Sequence, residues 1–232
     1  MKYFWAFFLF ISSNAWSQVV IKEGKLFYDI SYQNLNADVK RNEHLLPHDA
    51  SFYFKDKKTR MEMGLGGKGK NSTIYNGETK KTTVLLNIFG KKFALIQTDS
   101  ELVVVKKSLR TDTITKETSV VVVDEFKTIA DKRCQKALVY IKTPYDTTIN
   151  ECWFTKELPP YNTENDENLK SINGFLMQYS ITENGMTMIM KVKMIQSIPI
   201  EDKMFEIPAT YQVVTEQELN LLLGAMSGGS EN

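Results

Sequence analysis

Histidine is nearly missing from this chain: His44 and His48 are the only two among 232 residues. Pro47 lies between them and breaks the helix on which that spacing would make a ligand pair. Glu43 and Asp49 would have to complete any metal site. The two read as solvated side chains of a polar insert, and no metal or other cofactor is expected. No Ser-His-Asp or Cys-His set can be assembled from so few histidines, so no catalytic residue is assigned and the chain is not read as an enzyme. Aspartate and glutamate are plentiful but fall mostly in turns, which leaves a carboxylate-pair hydrolase open without pointing to one. Net charge is also missing. The chain holds 29 Lys+Arg against 28 Asp+Glu. Near-neutrality argues against nucleic acid, which needs a basic face to displace counterions, and against electrostatic docking on anionic lipid.

No apolar run approaches the roughly 20 residues that a membrane-spanning helix needs. The one short run is N-terminal: Lys2, then Tyr3 to Ile11, then Ser12-Ser13-Asn14-Ala15-Trp16-Ser17 and Gln18. A positive charge, an apolar stretch and small residues at alternate positions are the order of a secretory signal. The expectation is a signal peptide over residues 1–17, cleaved before Gln18. A soluble mature protein would then lie in the periplasm, with full secretion as the other outcome. Cleavage removes Lys2 alone among the charged residues, leaving 28 of each sign.

Cysteine is scarce too, with only Cys134 and Cys152. Two strand-like runs, Cys134 to Ile141 and Thr147 to Phe154, flank the turn residues Thr143-Pro144-Tyr145-Asp146. Export would let the pair persist as a disulfide across this hairpin. Register decides whether the two sulfurs meet, so a disulfide and two buried free thiols both stay open, with a metal pair as a weaker third reading.

What is abundant is alternation between tight turns. Lys25–Tyr32, Ala50–Phe54, Thr59–Met63, Asn71–Tyr75, Thr79–Ile88 and Lys91–Gln97 read as strands, with Asn76-Gly77 as a strong hairpin signal. Asp99–Lys107 is ambiguous between helix and strand. Ser119–Phe126 reads as a buried strand, and Gly174–Thr182 and Met186–Ser197 as another hairpin. Asn34–Asp49 and Pro159–Ser171 are polar insertions. Thr215 and Glu218 have capping-box spacing before a short amphipathic helix, and residues 227–232 read as a disordered tail. One β-rich domain is expected over residues 18–218, followed by the helix end and tail over 219–232.

Gly64-Leu65-Gly66-Gly67-Lys68-Gly69-Lys70-Asn71 nearly spells a phosphate-binding loop. Its last position lacks the hydroxyl that magnesium needs, and strands flank it where a helix should follow. It reads as a plain loop. The methionines say more. Met186, Met188, Met190 and Met194 recur at even spacing, Met61 and Met63 do the same on another strand, and Met177 joins them. A period of two puts each set on one face of a sheet. Ordinary core is the plain reading; an adaptable cavity for an acyl chain is the functional one, and a soft-metal thioether site is a third.

Thr128-Ile129-Ala130-Asp131-Lys132-Arg133-Cys134-Gln135-Lys136, Cys152-Trp153-Phe154-Thr155-Lys156-Glu157-Leu158, Asn184-Gly185-Met186-Thr187-Met188 and Phe205-Glu206-Ile207-Pro208-Ala209-Thr210-Tyr211 resemble, in order and spacing, segments of the domain-of-unknown-function 4412 family. The departure is at Ala130-Asp131, where that family tends to carry a glycine and an aromatic. The family is similar to LolA-type carriers of outer-membrane lipoproteins. That resemblance implies a strongly curved antiparallel sheet, an incomplete β-barrel with short helices as a lid over an apolar cavity. It implies a hydrophobic or lipid-like ligand, such as lipoprotein acyl chains, with Phe52, Phe54, Met61, Met63, Met177, Met188 and Met190 lining the cavity and Arg60 contacting the lid. A monomer is expected. The other reading is an envelope scaffold or interaction protein with a filled core and a protein partner.

Overall fold

The structure is a computed structural model that describes residues 21–66, 69–98, 117–161, 163, 169–183 and 186–227. The expected signal peptide, the ambiguous stretch from Asp99 and the last five residues of the expected tail lie outside them. In chain order the elements are β1 (Glu23–Gln33), α1 (Ala37–Arg41), a 3-10 turn at Glu43–Leu45, β2 (Asp49–Lys55), β3 (Lys58–Gly64), β4 (Gly69–Asn76), β5 (Lys81–Ile88), β6 (Lys91–Thr98), β7 (Glu117–Ile129), β8 (Lys132–Lys142), β9 (Thr147–Thr155), β10 (Phe175–Glu183), β11 (Met186–Gln196), β12 (Gln212–Val214) and α2 (Glu216–Ser227). The twelve strands form one open sheet in the order β12-β6-β5-β4-β3-β2-β1-β11-β10-β9-β8-β7. Every pairing is antiparallel except β12 on β6. The protein is therefore mainly β with a few short helices, as its turn-punctuated alternation predicts, and its sheet does not close into a barrel.

Turn chemistry sets the register. Asn76 Oδ1 accepts from the backbone N–H of Glu78 and Thr79, which fixes the β4–β5 connection. Thr215 and Glu218 cap α2 reciprocally: Thr215 N–H donates to Glu218 Oε2 at 2.7 Å, and Glu218 N–H to Thr215 Oγ1 at 3.2 Å. The β7–β8 connection is a two-residue turn in which Ala130 (φ +46°) and Asp131 (φ +61°) are both left-handed. Such turns favour glycine and asparagine, and alanine there carries a steric cost of roughly 1–2 kcal/mol.

The sheet bends on itself. Phe52 of β2 and Phe175 of β10 have ring centroids 5.4 Å apart. Their strands are three positions apart in the sheet, which in a flat arrangement is roughly 14 Å. The bend brings Leu26, Tyr28, Phe52, Phe54, Met177 and Met190 into one cluster, all at most 5% exposed. Smaller clusters cover the sheet elsewhere. Leu219, Leu222 and Leu223 of α2 pack on Phe93 and Leu95 of β6. Phe205, Ile207 and Tyr211 pack on Ile74, Leu85 and Ala94.

Two expectations need correction. The run from Ser119 is not a buried strand: β7 is the sheet's outer edge, and Val121, Val122 and Phe126 are more than 40% exposed. Nor do the β11 methionines share one face. Phe27 pairs with Met194 but Tyr28 pairs with Val192, so a bulge inserts one extra residue in β11. Met188, Met190 and Val192 pack in or against the core, while Met194 is 41% exposed.

Replacing Ala130 by glycine removes the left-handed penalty. The Ala130→Gly protein is expected to gain about 1 kcal/mol in urea unfolding at unchanged m-value. An unchanged or lower midpoint would show that the turn is not strained.

Candidate functional site

Each residue expected at a site has a definite place. Phe52, Phe54, Met177 and Met190 are buried in the central cluster, and Met61, Met63 and Met188 pack against it half-buried. They pack against one another and against Leu26, Tyr28 and Phe175, and none of them lines the clefts described below.

Arg60 lies on the other face of β3 from Met61, since it pairs with Ile74 and Tyr53 while Met61 pairs with Phe52. Its guanidinium donates to the Met204 carbonyl at 2.8 Å and pairs with Glu62 at 2.7 Å. Arg60 therefore clamps the segment that returns from β11 across the back of the sheet. Both side chains of the pair are about a tenth exposed. Removing one partner of so buried a pair is expected to cost about 3 kcal/mol. Arg60→Leu should lower the urea midpoint accordingly, whereas a loss under about 1 kcal/mol would mean that Lys70, 2.6 Å from Glu62, already compensates the carboxylate.

The cysteines are both free and buried, which corrects the disulfide reading and leaves two thiols. Register is the cause. Cys152 lies opposite Ala137, not Cys134. An offset of three residues turns the side chains to opposite faces of the sheet: Cys134 joins the central cluster, and Cys152 joins a second one with Ala137, Val139, Phe154 and Leu176. Burial pushes both thiols up to about 11. The mature protein should titrate as two thiols in guanidinium chloride and react with neither when folded at pH 8. One thiol or none after denaturation would contradict this register.

The concave feature that the sequence did not reveal is a fork in the sheet. β10 changes partner along its length. Phe175, Leu176 and Gln178 pair with Thr155, Phe154 and Trp153 of β9, with a bulge between Leu176 and Gln178. From Gln178 onward β10 pairs with β11, as far as Glu183. β9 meanwhile stays on β8 down to Thr147. The facing edges of residues 147–152 and 179–183 share no ladder, and a cleft opens between them. Its cause is visible in the residues: Phe175-Leu176-Met177 breaks the alternation that Gln178-Tyr179-Ser180-Ile181 resumes. Three consecutive apolar residues require both faces of the strand to be buried at that point.

The cleft has two chambers that meet at Asn150, Glu151, Tyr179 and Ser180. One, about 320 Å³, has apolar walls of Val139, Ile141, Cys152, Leu176 and Ile181. Leu169 lines it too, beside the 3-10 turn Lys170–Ile172, whose Ile172 packs with Leu176. Thr163 ties down this connection by donating to the Gly174 carbonyl at 2.9 Å. Gly174 admits no side chain, because a Cβ there would sit 2.6 Å from the Phe154 ring. The second chamber, about 420 Å³, is open and polar.

Electrostatics around the fork are quiet. Glu151 is held below the usual carboxylate range by the Lys136 ammonium at 2.8 Å and by the Trp153 indole N–H. Lys127 sits 3.9 Å over the Trp153 ring and donates to Gln178 Oε1, and desolvation lowers its pKa. Burial pushes the Tyr179 phenol up to about 12, so it is a neutral hydroxyl at any physiological pH. Among the described residues no group of three metal-ligating side chains converges.

A family model, Domain of unknown function (DUF4412), matches residues 38–211. The chain belongs to this family. The match takes in β2 to β11 and therefore the whole fork. No curated protein matches the chain significantly.

Proposed function

We propose that this DUF4412 protein is an exported binding module for a hydrophobic, lipid-like ligand, and that the ligand enters the β9–β10 fork. The observation that carries the reading is the apolar chamber between β9 and β10. Its about 320 Å³ is at the lower end of the range of small-molecule sites, roughly 300–1,000 Å³. Aliphatic walls and a polar mouth are the features that bury a chain and orient its end. The resemblance to lipoprotein carriers favours the same ligand class, although the chamber is not at the methionine face where the resemblance would put it. The signal-like N-terminus favours action in the periplasm or outside the cell.

A second reading has its own observation. The exposed Val121, Val122 and Phe126 on edge strand β7 suit an envelope scaffold that pairs with a protein partner.

Native mass spectrometry of mature protein purified from the periplasm without detergent tests the first reading. A bound mass in the lipid range is expected. Ile141→Trp, which fills the chamber from a half-buried position, should lose that mass and weaken a fluorescent acyl probe at least about ten-fold, equivalent to 1.4 kcal/mol. Met61→Leu, remote from the fork, should bind as the parent does. An empty parent that takes up no probe would overturn the carrier reading and leave the scaffold in front.

A further inference from the structure

We infer that the ligand's polar end is an uncharged head rich in hydroxyl or amide groups, held in the polar chamber of the fork while its chain fills the apolar one. This deepens the binding reading and rests on it.

The argument starts from what lines the open chamber. Nine of its twelve residues end in an amide or hydroxyl, among them Gln33, Asn34, Asn150, Gln178, Ser180 and Thr182. None of the twelve is lysine or arginine, and Glu151 is the one carboxylate. Its charge is already met by Lys136 and the Trp153 N–H. Lys127 borders the chamber by way of Gln178, with its ammonium engaged by the indole face and the Gln178 oxygen. That bond leaves the Gln178 NH₂ group to donate elsewhere.

A phosphate or carboxylate head accepts hydrogen bonds and carries charge. Here it would lie beside the Glu151 carboxylate with no lysine or arginine lining the chamber to meet its charge, which is unfavourable. A quaternary ammonium head donates nothing and would leave the chamber's acceptors unmet. A hydroxyl both donates and accepts. It therefore matches amides and hydroxyls, and it also matches the alternating N–H and C=O groups of the two strand edges that share no ladder. Asn150 and Ser180 border both chambers, at the junction where head would join chain.

The test is competition against the fluorescent acyl probe by a monoacylglycerol, a fatty acid and an alkyl phosphate of equal chain length, below their micelle concentrations. The monoacylglycerol should bind about ten-fold more tightly than either anion, equivalent to 1.4 kcal/mol. Asn150→Leu with Ser180→Val should erase that preference and leave the fatty acid Kd within about two-fold. Thr148→Val, at the exposed end of β9, replaces the double variant if the latter does not fold. Anions binding as tightly as the monoacylglycerol, or a preference that survives the substitutions, would overturn the head-group assignment and leave the chain site standing. Failure of every competitor and of the probe would overturn both.

Discussion

The partner change within β10 is the constraint on which the rest of this structure depends. At the Leu176–Gln178 bulge one strand leaves β9 and joins β11, and the sheet turns through it. The turn is pinned from the concave side. The Tyr28 hydroxyl donates to the Leu176 carbonyl at 3.5 Å, the Tyr28 and Tyr179 rings meet edge to face, and Phe175 reaches Phe52. None of these is strong alone. Together they bury aromatic area on both sides of the bend, and aromatic burial is the largest apolar contribution a side chain makes. With the bend fixed, β9 and β10 cannot both follow β11, and the fork results.

The methionines belong to the bend. A sheet folded at one bulge presents irregular gaps on its inner face, and unbranched thioether chains fill such gaps without demanding one shape. Met177 and Met190 are almost fully buried where the two arms of the sheet close on each other. A filled core at the bend and an open cleft beside it are compatible, because the bulge separates them: Met177 packs with Phe52 and Phe175, whereas Leu176, its neighbour, faces Cys152 and Ile172. The methionine core and the cleft therefore lie on different faces of one strand.

Most of the strands were legible because period-two alternation and turn residues are local, and nearly every hairpin from β1 to β11 was readable from them. Three features were not local. The exposure of β7 depends on where it falls in the sheet order, which a run of four valines does not encode. The cysteines sit almost symmetrically about their turn, yet their separation across the ladder follows from the register at Ala137↔Cys152. The same insertion effect moved Met194 away from the other β11 methionines, through one extra residue opposite Tyr28. The fork itself was not legible from the local pattern. The sole sign of the fork in the sequence is the apolar triplet Phe175-Leu176-Met177, which marks a strand buried on both faces without saying which neighbour it abandons.

An opening between strands is costly to keep, since unpaired backbone groups must be solvated or satisfied by something else. This chain does not close its own opening, although one more residue of β9–β10 ladder would begin to do so. What holds it apart is identifiable. Beyond Trp153, β9 follows β8 through a ladder reaching Thr147↔Lys142, and β10 follows β11 to Glu183↔Met186. Each strand keeps the ladder on its outer edge, and from the bulge onward the two ladders run apart. The polar mouth is thus maintained by the pairing of strands that do not line it. A ligand that supplies both donors and acceptors to the two bare edges restores what the bend removed, and leaves the flanking ladders intact.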